Sequence, residues 1–132
     1  MPKAVLSDWV ERLQCSYRVV GPVERHGSFV FDELTSAEEL RLVYPPTVLP
    51  PKKYIVPSRE TLVNYKLDGT HISAAIDAQP TVILGMHTCD LHGVTLLDQI
   101  FDIGFEDQHY QAHRENSYLV SIECLETCTE DS

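Results

Sequence analysis

Residues 81–101 leave a folding chain few options. Thr81, Val82, Ile83 and Leu84 follow Pro80 as a short continuous run rich in β-branched residues, the composition of a strand buried on both faces in a parallel sheet. Gly85 reads as its end. From Leu91 onward, Leu91, Val94, Leu97 and Ile100 or Phe101 recur every three or four residues, the period of a helix with one apolar face. Asp90 stands where an N-cap side chain accepts a free backbone N–H. Strand, turn and helix in that order put Cys89 at the mouth of the helix, where backbone amides and the positive end of the helix dipole favour a thiolate. Such a thiol is suited to be a metal ligand or a nucleophile.

Tyr118 to Ile122 reads as the next strand and leads directly into Cys124. If the two strands flank the helix as a right-handed βαβ unit, they are parallel and near neighbours. Cys89 and Cys124, 35 residues apart in sequence, then leave the same carboxyl edge of the sheet, the edge at which open parallel sheets hold ligands. Cys128 follows four residues later. Three cysteines converging on one edge is the main expectation.

A chain of 132 residues reads as one domain, long enough to enclose a core without disulfide or metal staples. Its apolar residues come in short runs, none approaching the roughly 20 needed to span a bilayer, so no membrane span is expected. The first residues, Met1 to Asp8, reach a charge before any signal-peptide core, and the reading is cytoplasmic. There, cysteines at 15, 89, 124 and 128 are metal ligands or redox groups more often than disulfides. A net charge of −10 argues against binding nucleic acid or anionic lipid. It suits a basic protein partner, or simply a solvated surface.

Elsewhere the pattern predicts a docking helix over 4–14, with Val5, Leu6, Trp9, Val10 and Leu13 on one face and Cys15 beyond it as a small packing residue. Tyr17–Val20 and Phe29–Phe31 read as strands of an antiparallel hairpin, with turns at Gly21-Pro22 and His26-Gly27. Ser36 to Glu39 fits a capping box opening a helix of about two turns. Pro45, Pro46, Pro50, Pro51 and Pro57 predict an extended polyproline-like loop. That loop is either a stiff connector or a scaffold fixing Lys52, Lys53 and Tyr54 near a site or a partner. Ser58 is read as capping a helix through about Lys66, and Asp68-Gly69 as a type I′ hairpin turn. Residues 104–115 read as an irregular crossover with one short helical turn. The whole is an α/β fold: a single domain with a mixed sheet, antiparallel hairpins in its N-terminal half and a parallel βαβ unit in its C-terminal half.

Neither a Gly-rich dinucleotide fingerprint, nor a Walker A pattern, nor a nucleophile elbow is present, so catalysis on a nucleotide is unsupported. What remains is a set of soft ligands, Cys89, Cys124 and Cys128, with His87, Asp90 and His92 close by. Cys89-x-x-His92 with Cys124-x-x-x-Cys128 makes a tetrahedral zinc set. An iron–sulfur cluster needs a fourth thiolate that the chain does not evidently offer. An ordinary cysteine with no metal, or a nucleophilic Cys89, stays open on spacing alone. His26, His71, His109 and His113 show no pairing that marks them as ligands.

The block Gly85-Met86-His87-Thr88-Cys89-Asp90-Leu91-His92-Gly93-Val94 with Leu97-Asp98, preceded by Pro50 to Pro57 and followed by Asp107-x-x-Tyr110, His113 to Asn116 and Cys124, resembles one family. It is similar to the iron–sulfur electron-transfer subunits represented by sulfhydrogenase beta subunits and their counterpart in anaerobic sulfite reductase. The resemblance covers about Leu40 to Cys128. It implies a [4Fe–4S] cluster held by Cys89, Cys124, Cys128 and a further cysteine downstream, relaying single electrons as a non-catalytic component of an oxidoreductase complex. The implied partners are other redox subunits of a hydrogenase or reductase, including one that binds flavin. The sequence stops at Ser132, before the expected fourth cysteine and the two-cluster ferredoxin-like region, so the reading is the N-terminal module of such a protein. Cys15, Asp90 or a neighbouring chain is then left to fill the fourth position. Glu123, Glu126, Glu130 and Asp131 would lower a cluster's potential, against the pull of the helix end at Cys89. The rival is a metal-free or zinc-stabilised interaction domain docking onto a larger redox complex through the Pro-rich loop.

Overall fold

The computed structural model describes residues 3–123, with side chains from Val5 onward. Cys124 and Cys128 lie outside the described residues. Strand β1 (Arg18–Arg25) pairs antiparallel with β2 (Ser28–Glu33) and parallel with β5 (Thr81–His87), which in turn pairs parallel with β6 (Ser117–Ile122). The four-stranded sheet thus has the order β2-β1-β5-β6, and β3 (Val63–Tyr65) with β4 (Ile72–Ala74) forms a separate antiparallel pair. This is the expected mixed α/β architecture. Among the described residues three helices complete it: α1 (Lys3–Gln14), α2 (Thr88–Phe101) and α3 (Gln108–Glu115). Among the described residues no helix is long and apolar enough to cross a membrane.

All seven residues of β5 are buried, as a continuous run of β-branched and aliphatic residues requires. Alternation along the strands splits the core in two. Val19, Val23, Val82 and Leu84 pack with Val10, Leu6 and Leu13 of α1 on one face, whereas Val20 and Ile83 pack with Val94, Leu97 and Phe101 of α2 on the other. Helices α1 and α2 therefore cover opposite faces.

Several local expectations are corrected. Gly85 does not end the strand; it is an extra residue inside it, a bulge between Leu84↔Val120 and Met86↔Ser121. Its φ of +72° suits glycine, and an added Cβ would meet Pro22 Cδ at 3.2 Å and Leu42 Cδ2 at 3.3 Å. The bulge restarts the alternation, so Met86 joins Ile83 on the α2 face. Gly21-Pro22 is no turn either, since β1 runs through it. Proline is tolerated because the β1–β5 pairing stops at Val20, and beyond it the Pro22 carbonyl accepts from Arg41 N–H at 2.8 Å. The hairpin turns at His26-Gly27, with positive φ at both residues, the signature of type I′.

Ser36 gives only a three-residue 3-10 turn (Ala37–Glu39) with no side-chain cap, because Glu39 is engaged by Thr35 and Arg25 instead. The proline-rich segment also holds a 3-10 turn (Pro51–Tyr54), where Pro51 supplies the preset φ of a first position. It packs down on the sheet: Ile55 is fully buried and Tyr54 Oη donates to the Phe31 carbonyl at 3.2 Å. No helix follows Ser58. That segment leads into β3, whose pairing with β4 wins over a local capping signal. At Asp68-Gly69 only the glycine has positive φ, so the four-residue turn from Lys66 to Gly69 is not type I′. The 104–115 crossover carries a full eight-residue helix, α3, N-capped by Asp107 through the N–H groups of His109 and Tyr110. Residue 15 is not packed: the apolar stripe of α1 that docks is Leu6, Val10 and Leu13, leaving Val5, Trp9 and Cys15 exposed.

Candidate metal-binding site at the mouth of a helix

Strand β5 passes into α2 with no loop between them. His87 ends the strand and is itself the N-cap residue, in extended conformation and without a side-chain cap. Thr88, Cys89 and Asp90 then form the first turn, so the N-cap position expected at Asp90 lies three residues earlier and carries no side-chain cap. Asp90 is inside the helix, where an acidic residue still complements the dipole. The consequence for Cys89 is the one expected: an exposed free thiol at a helix N-terminus, on the carboxyl edge of the sheet.

His87, Cys89 and Asp90 bring a ring nitrogen, a sulfur and a carboxylate oxygen within 4.8 Å of one another. His87 is held from behind. Its ring stacks on Tyr44, with centroids 4.1 Å apart and planes 8° from parallel. Tyr44 in turn donates its hydroxyl to the Gly85 carbonyl at 2.6 Å, a bond made at the bulge. Burial pushes the Asp90 carboxyl up from its ordinary value, while His87 and Lys52 pull the other way. Lys52 and Pro50 reach the site from the proline-rich segment and, with Cys89, Asp90, Val94 and Leu97, line a cleft of about 190 Å³. The proline-stiffened loop is thus a scaffold for Lys52 here, whereas Lys53 and Tyr54 face a different cleft.

His92 is exposed and lies outside the donor group. Cys15 is ruled out as a partner of Cys89 within the chain. It follows the helix on the other face of the sheet and precedes Arg18, which pairs with Thr81 at the start of β5, so it lies at the opposite sheet edge. Its thiol donates to the Glu11 carbonyl at 3.4 Å. The expected ligands Cys124 and Cys128 lie outside the described residues. In sequence His87 is only a neighbour of the cysteine; the bulge that sets its position leaves no pattern except a glycine inside an apolar run.

The resemblance residues beyond this turn have structural work. Tyr110 stacks on Phe101 at 4.1 Å and donates to Asp98 at 2.6 Å. Arg114 Nε reaches both Asp98 oxygens at 3.0 and 3.1 Å. Asp98 thereby fastens α3 to α2.

Compared with known proteins, the chain is 32% identical over 118 residues to "Sulfhydrogenase 2 subunit beta" of Pyrococcus furiosus, a match covering 89% of this chain and 35% of the relative. The chain spans about a third of the length of the curated relative it matches. No protein-family model matches it, and no solved structure does. With nearly nine-tenths of its residues aligned, the chain is a homologue of a sulfhydrogenase beta subunit over about a third of that protein's length.

Proposed function

We propose that this chain is an iron–sulfur electron-transfer module, a single domain over residues 1–132 in which Cys89, Cys124 and Cys128 hold a [4Fe–4S] cluster at the carboxyl edge of the sheet. The observation that carries the reading is the parallel register there. His87 is paired with Ile122, and Thr88 Oγ1 donates to the Ile122 carbonyl at 3.5 Å. Cys89 is two residues beyond one member of that pair and Cys124 two beyond the other, a reach of about 7 Å of chain on each side. The donor chemistry fits as well: an exposed thiol at a helix N-terminus, flanked by imidazole and carboxylate.

When bound, such a cluster supplies one-electron transfer without bond chemistry by the protein. The chain's own residues hold and tune the place. The first-turn amides of α2 stabilise anionic sulfur, Tyr44 fixes the His87 ring, and Lys52 adds a cation beside Asp90. The relative is by its name a subunit of a sulfhydrogenase. On that footing the partners of this chain are redox subunits of a hydrogenase-like complex, with electrons relayed between them.

Anaerobic reconstitution with iron and sulfide tests the reading. The expected result is a broad visible absorption with about four irons per chain, lost in Cys89→Ser and kept in Cys15→Ser. A colourless protein carrying stoichiometric zinc, or iron uptake indifferent to Cys89→Ser, overturns it.

A further inference from the structure

Helix α3 docks on α2 through Tyr110 and Arg114. That leaves His109 and His113, one helical turn apart and so neighbours on one face, with no part in the docking. Both turn to the same atom. Glu60, 53 residues before His113, places its Oε2 3.0 Å from His113 Nε2 and 3.7 Å from His109 Nδ1. The two imidazoles are mostly buried, at 15% and 12% side-chain exposure, and Glu60 at 26%. His109 Nδ1 is sealed from solvent with no hydrogen-bond partner. A buried ring nitrogen is ordinarily satisfied, and one that is not calls for an explanation such as an ion.

We propose that His109, His113 and Glu60 form a second metal site, which takes a divalent transition-metal ion of the zinc type through two imidazoles and one carboxylate. The donors suit that class, since imidazole and carboxylate are ligands of borderline cations. Bonds of about 2.0–2.2 Å to a tetrahedral ion put donor atoms roughly 3.2–3.6 Å apart, close to both measured nitrogen–oxygen separations. Of the described residues, only the His87 group has all its donor atoms within 4.8 Å of one another, so the two imidazoles must draw together on the ion about the shared carboxylate. His113 and Glu60 also line a cleft of about 770 Å³ with Arg18, Lys53 and Tyr54, from which water can complete the coordination. The ion ties the segment leading into the β3–β4 hairpin to α3. This site is independent of Cys89 and of any cluster there.

Zinc titration by calorimetry into the whole chain, with its thiols alkylated so that cysteine sites are silent, tests the proposal. One zinc per chain is expected, with binding lost in His113→Ala and in Glu60→Gln while far-ultraviolet circular dichroism stays that of the parent. A parent that binds no zinc, or binding unchanged in His113→Ala, overturns the site and leaves a carboxylate–histidine hydrogen-bond cluster. Should alkylation disturb the fold, Co²⁺ added to the unmodified chain decides. Visible bands lacking thiolate charge transfer and absent in His113→Ala support the site, and a spectrum unaltered by His113→Ala overturns it.

Discussion

Gly85 and Gly69 have nearly the same positive φ, +72° and +71°, yet they sit in opposite surroundings. Gly85 interrupts a strand buried along its whole length, against Pro22 and Leu42. Gly69 tips a hairpin whose β3 residues are all exposed, and a Cβ there would meet nothing within 4 Å. One positive φ is thus the product of a local turn, and the other of a sheet that must accommodate an extra residue at the rim of its site. The first costs only backbone strain to replace. The second also forces the core apart and shifts the residues that follow, His87 and Cys89 among them.

The largest expected effect separates the two. Gly85→Ala should lower stability by about 2–4 kcal/mol in urea unfolding, summing left-handed strain and overpacking, whereas Gly69→Ala should cost only about 1–2 kcal/mol. Equal losses would break the comparison. Next comes Tyr44→Phe, which removes the 2.6 Å bond to the Gly85 carbonyl and strands a buried acceptor. A loss of about 1–2 kcal/mol is expected, with the ring-current shift of the His87 protons by residue 44 retained in proton NMR if stacking alone positions the imidazole.

The smallest effect belongs to a region with neither burial nor bulge. Glu39 accepts from Thr35 N and Oγ1 and from Arg25 Nη1, and the Thr35 hydroxyl, ahead of Arg25, holds its carboxyl down to about 2 from an ordinary 4.5. A carboxyl lowered on folding stabilises above its unfolded value and loses that contribution as pH falls. Unfolding midpoints should therefore drop slightly between pH 4.5 and 2 in the parent and less in Glu39→Gln. The exposed pair is screened, so a large drop would mean the charge is more sequestered than its surface position implies.

The β5–α2 unit was legible because two periods, continuous apolar then every third or fourth residue, meet within one short stretch. The same reading failed at Gly85, since a glycine that ends a strand and a glycine that bulges it look alike until the neighbouring strand's register is known. Ser58 misled for a related reason: a cap signal is local, and the residues after it were claimed by pairing with Ile72 to Ala74. Cys15 is exposed rather than packed because the docking stripe of α1, Leu6, Val10 and Leu13, is narrower than its apolar content. At the candidate site, the thiol at 89 was found from its helix position, but Tyr44 behind His87 was not, coming from a loop 43 residues before it in chain order. His109 and His113 carried their one-turn spacing openly, and nothing near them in sequence pointed to Glu60.

By itself the order of residues determined the elements with a clear period, α1, β5, α2 and β6, and the placing of a cysteine at the start of a helix, because propensity and periodicity are properties of neighbours along the chain. Only the tertiary structure decided which distant groups meet: His87 against Tyr44, Lys52 beside Asp90, Glu60 between two histidines. Those meetings depend on strand register and on which face each helix covers, and a single extra residue in β5 is enough to change them.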